Sequence, residues 1–161
     1  MRYPIVLLIT LALTLAACDA GEVTSEAEDL QVIEIVLTDA DGEVVAYSHD
    51  DHWHGTIRVT AGGEVALQAY VVPADAPASG HDVPPQTAWM NLTDHPEHRL
   101  RITSDDEAVA AWSGDRYALT LSSQEAGAAL TTVVVLRGTT TLYQSPPAPT
   151  LSSSDTSTAA Q

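Results

Sequence analysis

The chain has no lysine and no phenylalanine, and it contains one cysteine in 161 residues. Its 6 basic residues are all arginines and stand against 22 acidic residues, which gives a formal net charge of −16. This balance argues against nucleic-acid binding, because such binding requires a basic surface that neutralises phosphates. The composition also excludes lysine-based covalent catalysis and a disulfide within the chain. A surface of this charge is instead expected to attract cations.

The single cysteine, Cys18, follows a short apolar segment near the start of the chain. Arg2 precedes an apolar run over residues 5–17, and the run ends in Leu15-Ala16-Ala17-Cys18. The run is shorter than the roughly 20 residues that a membrane-spanning helix needs. The segment resembles the signal peptide and lipobox of bacterial lipoprotein precursors. This resemblance implies that residues 1–17 are removed, that Cys18 carries lipid such as palmitate, and that the protein is anchored to a membrane of the cell envelope, facing the periplasm or the exterior.

The remaining sequence divides into a central domain between two polar ends. Residues 18–29 are acidic and poor in large apolar side chains, which is typical of a flexible tether. Residues 145–161 consist mainly of proline, serine, threonine and alanine and are predicted to be disordered. Residues 30–144 are therefore predicted to form one folded domain.

Apolar and polar residues alternate through much of this domain, which is the pattern of strands with one buried face. In residues 56–60, for example, Ile57 and Val59 are expected to face inward, and Trp112 is expected to belong to the core. The predicted strands cover residues 31–37, 43–48, 56–60, 64–71, 87–92, 99–103, 108–112, 117–121, 130–136 and 139–143. These short strands, without a helical pattern, predict an all-β fold. The expected architecture is an antiparallel Greek-key β-sandwich of immunoglobulin-like type, with a cupredoxin-like barrel as the alternative.

Most of the histidines fall in two short segments between predicted strands. The first segment contains two aspartates and three histidines: His49, Asp50, Asp51, His52 and His54. The second segment is Asp94-His95-Pro96-Glu97-His98. His81 stands alone in a proline-rich loop over residues 73–86.

These segments predict a divalent metal site, because neutral imidazole and carboxylate are ligands of Zn²⁺ and Cu²⁺. On an extended segment His52 and His54 project from one face, about 6.7 Å apart along the strand. We expect these two residues to bind the ion, with His49 as the third ligand and a bridging ligand from the second segment. The candidate ligands are therefore His49, His52, His54, His95 and His98, with Asp51 as a further possibility. The alternative is that both segments are ordinary solvated polar loops.

Two short motifs resemble copper-binding motifs of the multicopper oxidases. His52-Trp53-His54-Gly55 matches the His-Trp-His-Gly motif of that family, and His95-Pro96-Glu97-His98 faintly resembles its His-Pro-x-His motif. In that family these histidines help to hold a trinuclear copper cluster. The chain has no His-Cys-His motif, and its length suits one domain where those enzymes use two or three. We therefore reject the oxidase function and retain only the ability of this tetrapeptide to present two imidazoles to a metal.

Three functions are consistent with these features. The first is a tethered envelope protein that binds zinc or copper and passes it to a metal transporter or receptor. The second is a protein-interaction or assembly module of the envelope that binds no metal. The third is a metal-dependent hydrolase using His52, His54 and Asp51, for which the sequence contains no nucleophile motif or phosphate-binding loop.

Overall fold

This computed structural model describes residues 30–154 of the chain, which contain eleven strands and two short 3₁₀ helices. The predicted signal peptide, the lipidation site Cys18, the tether and residues 155–161 lie outside the described residues. The strands are β1 (Val32–Thr38), β2 (Val44–His49), β3 (His52–Gly55), β4 (Ile57–Thr60), β5 (Glu64–Pro73), β6 (His98–Ser104), β7 (Ala111–Ser113), β8 (Ala118–Ser122), β9 (Gly127–Arg137), β10 (Thr140–Gln144) and β11 (Ala148–Ser153). The 3₁₀ helices span Gln86–Ala88 and Leu92–Asp94. Within residues 30–154, no helix has the length and apolar character needed to cross a bilayer.

The first sheet is antiparallel and has the strand order β3-β2-β1-β5-β8-β7. Its first three strands follow one another as hairpins, and β5 then returns from the second sheet to lie beside β1. This spatial order of a fourth strand beside the first of three consecutive strands is a Greek key. The predicted Greek-key topology is therefore confirmed.

The second sheet is built around β9. Along one edge β9 pairs with β6, and along the other its first half pairs with β11 and its second half with β10. β4 lies beside β11 in a parallel pairing and completes this sheet. Among the described strands no pairing joins the two sheets, so they form an open sandwich and not the alternative barrel.

β11 contradicts the prediction that the whole of residues 145–161 is disordered. Its inward side chains alternate along the strand and are small or polar, and their hydroxyl groups are satisfied inside the sandwich. Thr150 Oγ1 lies 2.9 Å from Thr131 Oγ1, and Ser152 Oγ accepts a hydrogen bond of 2.7 Å from Ser123 Oγ. Because these hydroxyl groups pair with one another, a segment of low hydrophobicity can form a buried strand.

The core lies between the sheets and is filled by aliphatic side chains from both. Its largest fully buried members include Ile35, Leu37, Ile57, Leu121, Val133 and Val135. Ile57 and Val59 are buried as predicted. Trp112 is only half-buried; it packs against the core and donates from Nε1 to Thr131 Oγ1 over 3.1 Å.

The proline-rich loop and the segment after it cover part of the outer face of the first sheet. A second, smaller apolar cluster there consists of Val36, Tyr47 and Val72, and Ala76, Ala88 and Trp89 pack against it. The prediction of a strand over residues 87–92 is wrong, because only Met90 forms a bridge, to Val71 of β5. The segment is instead held by side-chain packing on the outer face of the sheet. The loop before it lies close to the β2–β3 hairpin, where Tyr47 contacts His81.

Candidate metal centre

The β2–β3 hairpin places three histidines and a tyrosine on one face of the first sheet. Tyr47 pairs with His54 and His49 pairs with His52, so these side chains share a face, while Ser48 and Trp53 point to the other. The Tyr47 and His54 rings are stacked with centroids 4.7 Å apart. The turn contains Asp50, whose φ of 48° is in the left-handed region that Asp tolerates.

Trp53 and Gly55 of the His-Trp-His-Gly motif have structural roles. Trp53 lies in the core, and its Nε1 donates to the carbonyl oxygen of Pro146 over 2.7 Å. Gly55 ends β3 with a φ of 85°, where the chain leaves the first sheet and enters β4 of the second. A Cβ atom on Gly55 would collide with the carbonyl oxygen of Val45. The motif therefore fixes the position of the hairpin whether or not it binds copper.

His81 joins this group from the proline-rich loop. The hydroxyl of Tyr47 donates to the carbonyl oxygen of His81 over 2.6 Å. The His81 ring centroid is 5.9 Å from the centroids of both His52 and His54. The sequence contains no local signal for this contact. The loop is held by the Tyr47 hydrogen bond and by a hydrogen bond of 2.9 Å that Trp89 Nε1 donates to the carbonyl oxygen of Pro84.

Three of the imidazoles can share one ion. One ring nitrogen from each of His52, His54 and His81 lies within 4.8 Å of the others. The Nε2 atoms of His52 and His54 are 3.1 Å apart. Two nitrogens bound to one tetrahedral zinc ion, at Zn–N distances of about 2.0–2.1 Å, are separated by roughly 3.3 Å. The same distance suits an N–H···N hydrogen bond in the metal-free protein, so the pair is compatible with both states.

Asp51 contacts the opposite side of the His52 ring. Its Oδ1 lies 3.1 Å from Nδ1 of His52. When the ring hydrogen is on Nδ1, His52 donates it to Asp51 and presents the lone pair of Nε2 towards His54. A carboxylate that orients a metal-binding imidazole in this way is common in zinc sites. The same hydrogen bond lowers the pKa of Asp51.

His49 lies beside the group with both ring nitrogens facing carboxylates. Nδ1 is 2.9 Å from Oε1 of the buried Glu34, and Nε2 is 3.4 Å from Oδ2 of Asp50. The hydrogen bond with Glu34 raises the pKa of His49 despite its partial burial. Both ring nitrogens of His49 are thus directed at carboxylates, and the three histidines whose nitrogens converge are His52, His54 and His81. His81 therefore takes the third position that was expected for His49.

Electrostatics favour the neutral, metal-binding form of His54. Partial burial lowers its pKa, and the nearby His52, His81 and His49 lower it further. Protons therefore compete less for His54 than for a solvated histidine.

His95 and His98 do not join the first group. Together with Glu97 they form a separate set, at the start of β6 in the second sheet. Within the described residues no ring contact connects this set with His52, His54 or His81. The expectation that the second segment supplies a bridging ligand is not met in this arrangement.

Comparisons with family models, curated proteins and solved structures find no match for this chain.

Proposed function

We propose that this protein is a membrane-tethered component of the bacterial cell envelope that binds zinc or copper through His52, His54 and His81. The observation that carries the proposal is the convergence of three imidazole nitrogens within 4.8 Å of one another. Imidazole is a ligand of both ions. The tether is the lipid expected on Cys18, since several acyl chains hold a protein stably at a membrane.

The exposure of the ligands favours reversible metal binding. Structural zinc sites are closed by four protein ligands, whereas three protein ligands leave one position open. His81 is exposed, and the side chain of His52 retains 44% of its accessible surface. Water or a ligand from another protein can occupy the open position. This arrangement supports a role in holding metal and passing it to an envelope transporter or receptor.

The charge of the chain supports the same role. The net charge of −16 creates a negative potential around the domain. Such a potential raises the local concentration of cations and their rate of arrival. It selects no particular metal, so the imidazoles have to supply the preference for zinc or copper over calcium, which favours oxygen ligands.

The double variant His52→Ala/His54→Ala tests this proposal. Titration calorimetry of residues 19–161 with Zn²⁺ and Cu²⁺ should show one fewer bound ion per chain than the unaltered protein. A His81→Ala variant should weaken the same step, and binding should decline below about pH 6.5 as imidazoles are protonated. Any calcium response should persist in all variants. Unchanged zinc and copper binding in the double variant would overturn the proposal and favour a protein-interaction module with an acidic surface.

A metal-dependent hydrolase is the second candidate, and a neighbouring cleft favours it. The cleft has a volume of about 310 Å³ and is lined by Glu34, His49, Gly80 and apolar residues of the loop. The Oε2 atom of Glu34 is buried there without a hydrogen-bond partner. The cleft reaches the three-histidine group through His49, whose ring centroid is 4.9 Å from that of His81. A carboxylate close to an open zinc position is a feature of hydrolytic zinc sites. Zinc-dependent hydrolysis of an activated ester that is lost in His52→Ala/His54→Ala would support this function.

A further inference from the structure

The segment His95-Pro96-Glu97-His98 folds as a tight turn whose backbone is anchored on several sides. The amide of His98 donates to the carbonyl oxygen of His95 over 2.9 Å, which closes the turn, and proline is favoured at its second position. Arg116 Nη2 donates to the carbonyl of Pro96, and the amide of Gly138 donates to the carbonyl of Glu97. Because these hydrogen bonds hold the backbone, they fix the positions of the Cα atoms from which the His95 and His98 side chains project.

The turn brings three donor side chains together. One donor atom from each of His95, Glu97 and His98 lies within 4.8 Å of the others. The ring centroids of His95 and His98 are 5.9 Å apart. Two imidazoles and one carboxylate are a ligand set found in zinc sites.

His98 supplies an independent indication of a ligand. It is 5% exposed, and neither of its ring nitrogens has a hydrogen-bond partner. Nδ1 lies 2.9 Å from Oε1 of Glu97, but the two groups are not in hydrogen-bonding geometry. Buried polar atoms without partners are uncommon, and an ion held by Nδ1 and the Glu97 carboxylate would give that ring nitrogen a partner.

Two arginines lie near this set and affect its affinity for a cation. Arg116 contacts the turn through Pro96, and Arg137 of β9 pairs with His98 in the sheet. Their positive charges oppose a bound cation, whereas the carboxylate of Glu97 attracts it. We therefore expect weaker binding here than at the three-histidine group.

We propose that His95, Glu97 and His98 form a second divalent-metal site of the zinc class, separate from His52, His54 and His81. The domain would then carry two ions, one on each sheet. This inference does not depend on the first site, because the two ligand sets share no residue.

The experiment uses residues 19–161 carrying His52→Ala and His54→Ala, so that the first site is removed. Titration with Zn²⁺ should still show one bound ion per chain. Adding His95→Ala and Glu97→Gln should remove that ion, whereas adding Glu125→Gln, which neutralises an exposed carboxylate elsewhere, should not. Circular dichroism checks that each variant is folded, and the buried His98 is left unchanged for that reason.

A second readout follows His98 directly. Nitrogen-15 spectra of the imidazole rings should show one ring nitrogen of His98 shifting when Zn²⁺ is added to the His52→Ala/His54→Ala protein. Absence of residual zinc in that protein would overturn this inference while leaving the first site intact. Residual zinc that survives His95→Ala/Glu97→Gln would also overturn it. If zinc binding in the unaltered chain responds only to His95→Ala/Glu97→Gln, the second site stands and the first proposal fails.

Discussion

Glu34 and His49 form a pair in which the carboxylate Oε1 lies 2.9 Å from the imidazole Nδ1. The carboxylate is buried in β1, with Glu34 only 6% exposed, and its second oxygen has no hydrogen-bond partner. A buried carboxylate requires hydrogen-bond donors, and Nδ1 of His49 can donate to Oε1 whether the ring is neutral or charged. His49 is therefore the partner of Glu34, and it lies beside the three-histidine group without being part of it.

This pair predicts opposite titration behaviour for two histidines of one hairpin. In the metal-free protein, the hydrogen bond with Glu34 raises the pKa of His49 above its ordinary value of 6.5, and partial burial lowers the pKa of His54 below it. The stabilisation from protonated His49 is thus fully present below about pH 6.5 and is lost as pH rises through the raised pKa. Proton NMR of the ring signals should give a higher midpoint for His49 than for His54.

The variant Glu34→Gln is the control for that titration. Removing the carboxylate should lower the midpoint of His49 and narrow its difference from His54, whose pKa depends mainly on burial. Equal midpoints in the unaltered protein would contradict the effect assigned to the hydrogen bond between His49 and Glu34.

Gly55 should tolerate a side chain poorly. Gly55→Ala combines a left-handed φ with a collision against the backbone of Val45, whereas Gly62→Ala has a similar φ but open space around the new Cβ. The left-handed conformation alone costs an alanine about 1–2 kcal/mol. Urea unfolding should show a loss of that size for Gly62→Ala and a clearly larger loss for Gly55→Ala. Equal losses would mean that the backbone contact at Gly55 is unimportant.

The last strand should be essential for stability. A chain that ends at Gln144 lacks β11, so that β4 has no remaining neighbour among the described strands. A chain that ends at Ser154 keeps β11 and is the matched control. We expect the shorter chain to be unfolded or to melt at a much lower temperature by circular dichroism, and the longer chain to melt like residues 19–161. Similar melting of both chains would show that β11 is dispensable.

Membrane attachment depends on a lipid at Cys18 and is tested separately from metal binding. Cys18→Ser should prevent acylation, so that the protein is released from membranes or keeps its precursor mass. Membrane fractionation and mass spectrometry of the expressed protein measure both. Unchanged partitioning and unchanged mass in Cys18→Ser would refute lipid attachment at this residue.

The alternation of apolar residues was sufficient to predict most of the sandwich, because each such strand buries one face. Residues 56–60 and 64–71 follow this rule, and β4 and β5 occupy these regions. β3 and β11 break it. β3 is short and rich in histidine, and β11 buries hydroxyl groups where the rule requires apolar side chains. Neither segment carries a hydrophobic period that sequence analysis could detect.

Only the part of the candidate site that depends on the spacing of neighbouring residues could be predicted from the sequence. His52 and His54 lie on one face because they are two residues apart in an extended strand, and the structure agrees. His81 comes from a distant loop that is held by Tyr47 and by packing on Val36 and Val72. The role of Glu34 could not be predicted from the sequence either, because a glutamate in an alternating strand is normally assigned to the solvent face.

We expect the parallel pairing of β4 with β11 to form late in folding. Ile57 pairs with Thr150, so nearly the whole domain separates the two partners in the chain. Pairings between distant segments form slowly, because closing the intervening loop costs entropy before the new contacts can stabilise it. The second sheet is incomplete until β11 lies between β9 and β4. Until then β4 and the first half of β9 lack the neighbour that β11 provides, and their open edges are available for pairing with another chain.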